Sequence, residues 1–105
     1  MDNLPTNEQL RANHKIKSLW EILNAIGCEL EGYAGPVPRA SHWSNDDGES
    51  GEGFYLYRAT RENFSDEDIK TIRRVADSVG FKLRTHSDFE RIDDRTYMPS
   101  LTFDL

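Results

Sequence analysis

Tyr55 and Tyr57 stand two apart in Gly53-Phe-Tyr-Leu-Tyr-Arg-Ala-Thr60, the most aromatic stretch of the chain. In an extended strand such residues share a face, so two phenol rings lie side by side. RNA-binding sheets stack bases on aromatic pairs of this kind. Glu52-Gly-Phe-Tyr-Leu-Tyr57 echoes the glycine–aromatic opening of their central strand, but that motif begins with Lys or Arg and Glu52 stands there instead. The same rings serve equally well as half-covered strand residues or as a protein contact. An acidic chain favours the last two, because carboxylates repel a phosphate backbone.

A second constellation lies just upstream. Arg39 and Trp43 precede Asp46, Asp47, Glu49 and Glu52. Tryptophan and arginine are the side chains that most often anchor protein interfaces. Trp43 is therefore expected either to project as an anchor or to fold back over the tyrosine face. The acids do not make a calcium loop, which needs oxygen ligands at alternate positions and a distal Glu.

Readings as a metal centre or a nucleophile find little support. His14, His42, His86 and Cys28 are far apart in sequence, with no HxxxH, CxxC or HExxH spacing. Ser41 and His42 are adjacent, which is not triad geometry. Gly48, Gly51 and Gly53 do not join a strand to a helix as a phosphate loop does. No catalytic residue, metal ligand or cofactor is assigned, and a non-catalytic protein is expected.

The chain has 105 residues and a net charge of −6, unevenly placed. Residues 1–53 hold nine acids against four bases, whereas the remainder is close to balanced. Such asymmetry attracts basic protein surfaces, although acidity also simply keeps a small protein soluble. The single cysteine, Cys28, excludes an internal disulfide. Residues 1–6 carry no basic stretch followed by an apolar run, and no segment has the length or hydropathy of a membrane span. A cytoplasmic protein of one domain is expected, with residues 1–5 disordered and 34–52 forming a long acidic loop containing glycine and proline.

The elements that must position these side chains appear as a repeat. Residues 17–33 align without a gap on residues 70–86, each copy turning on a glycine, Gly27 or Gly80. Ahead of the glycine the apolar period is helical, and after it apolar and charged residues alternate as in a strand. Thr6 and Gln9 have capping-box spacing, which starts the first helix at Thr6, frayed until Ile16. Ser65 caps the second, with Asp66, Glu67 and Asp68 at the positive end of its dipole. Strands are expected at 28–33, 53–60, 81–86 and 97–105.

The order is thus α-β-β-α-β-β. Each helix has one apolar stripe and each strand one apolar face, so both helices should cover one side of a four-stranded antiparallel sheet. This is an α+β fold, a circularly permuted ferredoxin-like sandwich, with the strands at Phe54 and Leu101 central and those at Cys28 and Phe81 at the edges. Phe54, Leu56, Leu101 and Phe103 then point inward. Tyr55, Tyr57, Glu29, Glu31, Lys82 and Arg84 occupy the open face.

The expected function is that of a small acidic binding or inhibitory protein. It docks on a protein with a basic surface through Arg39, Trp43, Asp46, Asp47, Glu49, Glu52, Tyr55 and Tyr57. The alternative is single-stranded nucleic-acid binding through Tyr55, Tyr57, Lys82 and Arg84. Glu29 and Glu31 at one edge and Lys82 and Arg84 at the other are complementary, which allows a weak homodimer, although such charges more often keep sheet edges apart.

Overall fold

A computed structural model of the chain describes residues 5–87, 90–92 and 95–105. Among the described residues it contains three helices, α1 (Asn7–Arg11), α2 (His14–Ala25) and α3 (Asp66–Val79). Six strands complete it: β1 (Arg39–Ser44), β2 (Ser50–Tyr57), β3 (Lys82–Ser87), β4 (Glu90–Ile92), β5 (Arg95–Tyr97) and β6 (Ser100–Asp104). Strands β1-β2-β6-β3 form one antiparallel sheet in that order, and β4 and β5 pair as a separate two-stranded sheet. The fold is α+β with the central strands at Phe54 and Leu101, and its order is that of a permuted ferredoxin-like sandwich. The expected disorder of residues 1–5 falls, apart from Pro5, outside the described residues.

One core lies between the helices and one face of the sheet. Leu10, Ile16, Leu19 and Leu23 from α1 and α2 join Ile69, Ile72 and Ala76 from α3. They meet Phe54, Leu56, Leu83, Leu101 and Phe103 from the strands. Phe54 is the hub, stacked on Phe103 at 5.3 Å and edge-on to Phe81 at 5.1 Å.

The helix ends follow from local chemistry. Thr6 and Gln9 make the reciprocal capping box, and Ser65 and Asp68 make another. The first helix is not continuous, however. Asn13 accepts from the amides of Lys15 and Ile16 and starts α2 afresh, leaving α1 as a separate turn and a half. Gly27 and Gly80 are both left-handed, with φ of 96° and 98°, and turn the chain out of α2 and α3 as the repeat requires.

Beyond Gly27 the two copies diverge. Residues 28–33 are not a strand. Glu29 has φ 52° and Gly32 φ 133°, which breaks the extended run, and only Leu30 bridges to Arg58. The segment is held by side chains instead: Asn24 accepts from the Leu30 amide at 2.6 Å, and the Trp20 indole donates to the Glu31 carbonyl at 3.0 Å. The edge beside β2 belongs to β1, inside the stretch expected to be loop. Arg-Ala-Ser-His-Trp-Ser has little strand propensity. It is extended because residues 45–49 form a tight turn that folds it onto β2, and pairing overrides propensity. Asn45 builds that turn, its side-chain oxygen accepting from the amides of Asp47 and Glu49.

A buried arginine ties the pieces together. Arg58 is 7% exposed. Its Nε donates to the Cys28 carbonyl at 3.1 Å, and one Nη donates to the carbonyls of Glu62 and Asn63 at 2.7 and 3.0 Å. The guanidinium also lies 4.6 Å from the Phe64 ring centre.

Candidate functional site

Strand parity divides the site residues between two faces. Phe54 and Leu56 are buried under the helices, so Tyr55 and Tyr57 occupy the open face, each half-exposed. Tyr55 lies opposite Arg39 on one side and Thr102 on the other. Gly53 lies opposite Ser41 and Asp104, and Asp104 opposite Lys82. Trp43 lies opposite Gly51. Arg39, Trp43, Tyr55, Tyr57 and Lys82 therefore share the uncovered surface.

Glu52 does not. It lies opposite His42, on the side of the sheet that carries Phe54, and so belongs to the other face. Its carbonyl accepts from the Leu105 amide at 3.0 Å. Asp46, Asp47 and Glu49 sit exposed in the β1–β2 turn, at the Trp43 end of the open face. Glu29 is exposed in the irregular segment, and Glu31 lies beside the end of β2, its amide donating to the Tyr57 carbonyl at 2.8 Å.

Trp43 crosses the sheet rather than projecting from it. The indole lies over Gly51, where an added Cβ would stand 2.6 Å from the ring. Its other neighbour is Arg84, from the opposite edge strand, with the guanidinium carbon 3.6 Å from the ring centre. Contact across four strands needs a bare floor under the ring, which Gly51 provides. It also needs Arg84 re-aimed. A bulge does this: Leu83 pairs with Phe103 and Thr85 with Thr102, leaving Arg84 as the extra residue.

Asp104 holds Arg84 from the adjacent strand through two hydrogen bonds, Nε to Oδ1 at 2.5 Å and Nη2 to Oδ2 at 3.0 Å. The hydrogen bond that Arg84 donates to Asp104 raises the already high guanidinium pKa, against the effect of burial, and the charges of Asp104 and Glu49 add to it. The Trp43 Nε1 is buried and has no partner among the described residues.

At the other end of the face the tyrosines pack on each other, edge to face, with centres 5.3 Å apart and planes at 87°. The Arg39 guanidinium lies 5.5 Å from the Tyr57 ring centre. The Tyr57 phenol is pushed above its ordinary pKa, first by burial and then by the Tyr55 phenol, with Arg39 pulling the other way. It stays neutral and can donate. The aromatic rings of this face are thus engaged with one another or with arginines, Trp43 with Arg84 at one end and the tyrosines with Arg39 at the other.

Sequence reasoning placed Lys82 and Arg84 on this face, but not the Trp43–Arg84 contact or the role of Asp104. The signal for the contact was present in the alternating Gly51 and Gly53, which strip two neighbouring open-face positions of side chains.

The nucleophile and metal candidates stay apart. His14, His42 and His86 are exposed on three different elements. Among the described residues no three His, Cys, Asp or Glu side chains come together as a metal site. Cys28 is buried, and burial, followed by repulsion from Asp68, lifts its thiol from 9.0 to about 11, with Arg58 opposing. The unfolded thiol ionises first, so the stability held by the protonated folded thiol is complete below pH 9.0 and disappears as pH rises through about 11. Over that interval the urea midpoint of the wild type should fall more steeply than that of Cys28→Ala. Parallel slopes would show that the fold does not hold the proton.

No helix among the described residues is long and apolar enough to cross a membrane. No family model, no curated protein and no solved structure matches this chain.

Proposed function

We propose that this protein is a non-catalytic binding or inhibitory protein that docks on a basic protein surface. One observation carries the proposal: the acidic β1–β2 turn extends directly from the Trp43 end of a preformed aromatic and arginine layer. The layer supplies anchors whose ordering cost is met before association. The turn supplies the field that draws in a basic partner. Tyr55, Tyr57, Arg39 and Trp43 form the contact, and Asp46, Asp47 and Glu49 steer it.

The test begins by retaining polypeptides from an extract of the source cells at low salt. The association rate of the captured partner is then measured. Replacing Asp46, Asp47 and Glu49 together by lysine should slow association by about tenfold or more, and added salt should do the same, with dissociation little changed. An unaltered association rate would remove the turn from the mechanism. Capture of nothing basic would sink the proposal itself.

Single-stranded nucleic-acid binding is the second reading, favoured by Arg39 and Lys82 on the open face with no ion pair among the described residues. Against it, base stacking needs free ring faces, and here Arg84 covers Trp43 while Arg39 lies over Tyr57. Fluorescence anisotropy with short RNA and DNA oligonucleotides should stay flat. A saturable rise that Tyr57→Ala weakens would reverse the order of the two readings.

A further inference from the structure

The first half of the chain has four basic residues, and two of them, Arg11 and Lys17, line one cavity beside the α1–α2 junction. The cavity measures about 410 Å³ and opens to solvent. Residues 33–37 complete it. Its volume falls within the roughly 300–1,000 Å³ of small-ligand sites.

Three independent features of this cavity ask for a ligand. Neither cation has an ion-pair partner among the described residues, where the one ion pair joins Arg84 to Asp104. Glu8 lines the smaller adjoining space of about 150 Å³, which shares Arg11 and Val37, and is not part of the larger one. Tyr33 is the only large hydrophobic side chain among the described residues that is wholly exposed, and it lines the cavity with no hydrogen bond to any of them. Last, the backbone is shaped for close approach. At Gly32, φ is 133° and a Cβ would collide with the Gly35 carbonyl oxygen, so the loop closes tightly only with glycine. The amides of residues 33, 34, 35 and 37 make no hydrogen bond among the described residues and remain available as donors.

Two cations and a run of amides without partners among the described residues are the chemistry of a phosphate site. A bare phosphate, however, leaves the ring and the apolar wall unused. We propose that this cavity binds a small phosphate ester carrying a flat ring, the chemistry of a nucleoside monophosphate. Arg11, Lys17 and the loop amides take the phosphate. Tyr33 stacks on the ring, with Pro36 and Val37 as the wall. The site is built from α1, α2 and the loop that follows, and its operation does not depend on the partner docked at the open sheet face.

Adenosine monophosphate, adenosine and inorganic phosphate are the probes, read by amide chemical shifts of the full chain. Adenosine monophosphate should give saturable shifts at Arg11, Lys17 and residues 32–37. Adenosine and inorganic phosphate should each bind about tenfold more weakly or less, since each lacks one half of the recognition. Arg11→Ala with Lys17→Ala should abolish saturation for both phosphates while the circular dichroism spectrum is unchanged, both side chains being exposed. Tyr33→Ala should weaken the nucleotide and leave inorganic phosphate as it was. Absence of saturable shifts, shifts confined to other residues, or wild-type affinity in the double variant would overturn the assignment. So would a phosphotyrosine peptide that binds more tightly than the nucleotide.

Discussion

Replacing Arg58 by alanine is expected to cost about 3 kcal/mol or more, from three buried or half-buried hydrogen bonds to backbone carbonyls. The cost is large because the acceptors stay behind. The Cys28 carbonyl is enclosed beneath the end of β2, and the carbonyls of Glu62 and Asn63 lie in the turn that leads to Ser65. Water can replace the guanidinium only by opening the cover over Cys28 and Phe64, which are 6% and 7% exposed. In a domain of this size such a loss lowers the melting temperature by roughly 15 °C. Arg58→Lys should recover only part of it, because an ammonium lacks the planar fork that reaches three carbonyls at once. Urea denaturation of the three proteins checks this. If alanine and lysine variants both unfold at the wild-type midpoint, Arg58 is not the tie between the irregular segment and the sheet.

Gly53→Ala is the second large effect, expected near 3 kcal/mol from a single methyl group. An added Cβ would collide with the Phe103 carbonyl oxygen and stand 3.2 Å from its carbon. That oxygen belongs to β6, the strand hydrogen-bonded to β2 in the middle of the sheet. No rotamer relieves a clash between two backbones, so the central strands must separate or slide. Phe54 is the next residue, and its stack on Phe103 moves with the strand. The substitution should also loosen the Trp43–Arg84 contact, because Asp104 lies directly opposite Gly53. Denaturation midpoint and tryptophan emission report the two effects separately. A variant with wild-type stability would show that β2 and β6 are not this close.

Although they missed the break at Asn13, local patterns in the chain were enough for α2 and α3, the caps at Thr6 and Ser65, the inward set Phe54, Leu56, Leu101 and Phe103, and the choice of central strands. All of these rest on periodicity and on side chains within four residues of the group they satisfy. Parity alone then placed Tyr55 and Tyr57 on the open face. The same local logic failed at residues 28–33, where alternation looked like a strand but positive φ at Glu29 and Gly32 broke it. It failed again at 39–44, a polar run made extended by its hairpin partner.

What no local pattern could supply were relations between distant residues. Trp43 meets Arg84 across four strands, Arg58 reaches the Cys28 carbonyl, and Arg11 and Lys17 share a cavity with Tyr33. Each depends on which strand lies beside which, on a one-residue bulge, or on a glycine that leaves space for a side chain from elsewhere. Burial and pairing are properties of the packed chain. The order of residues sets the helices, the central strands and their faces, and the packing decides the edge strand and which faces become a site.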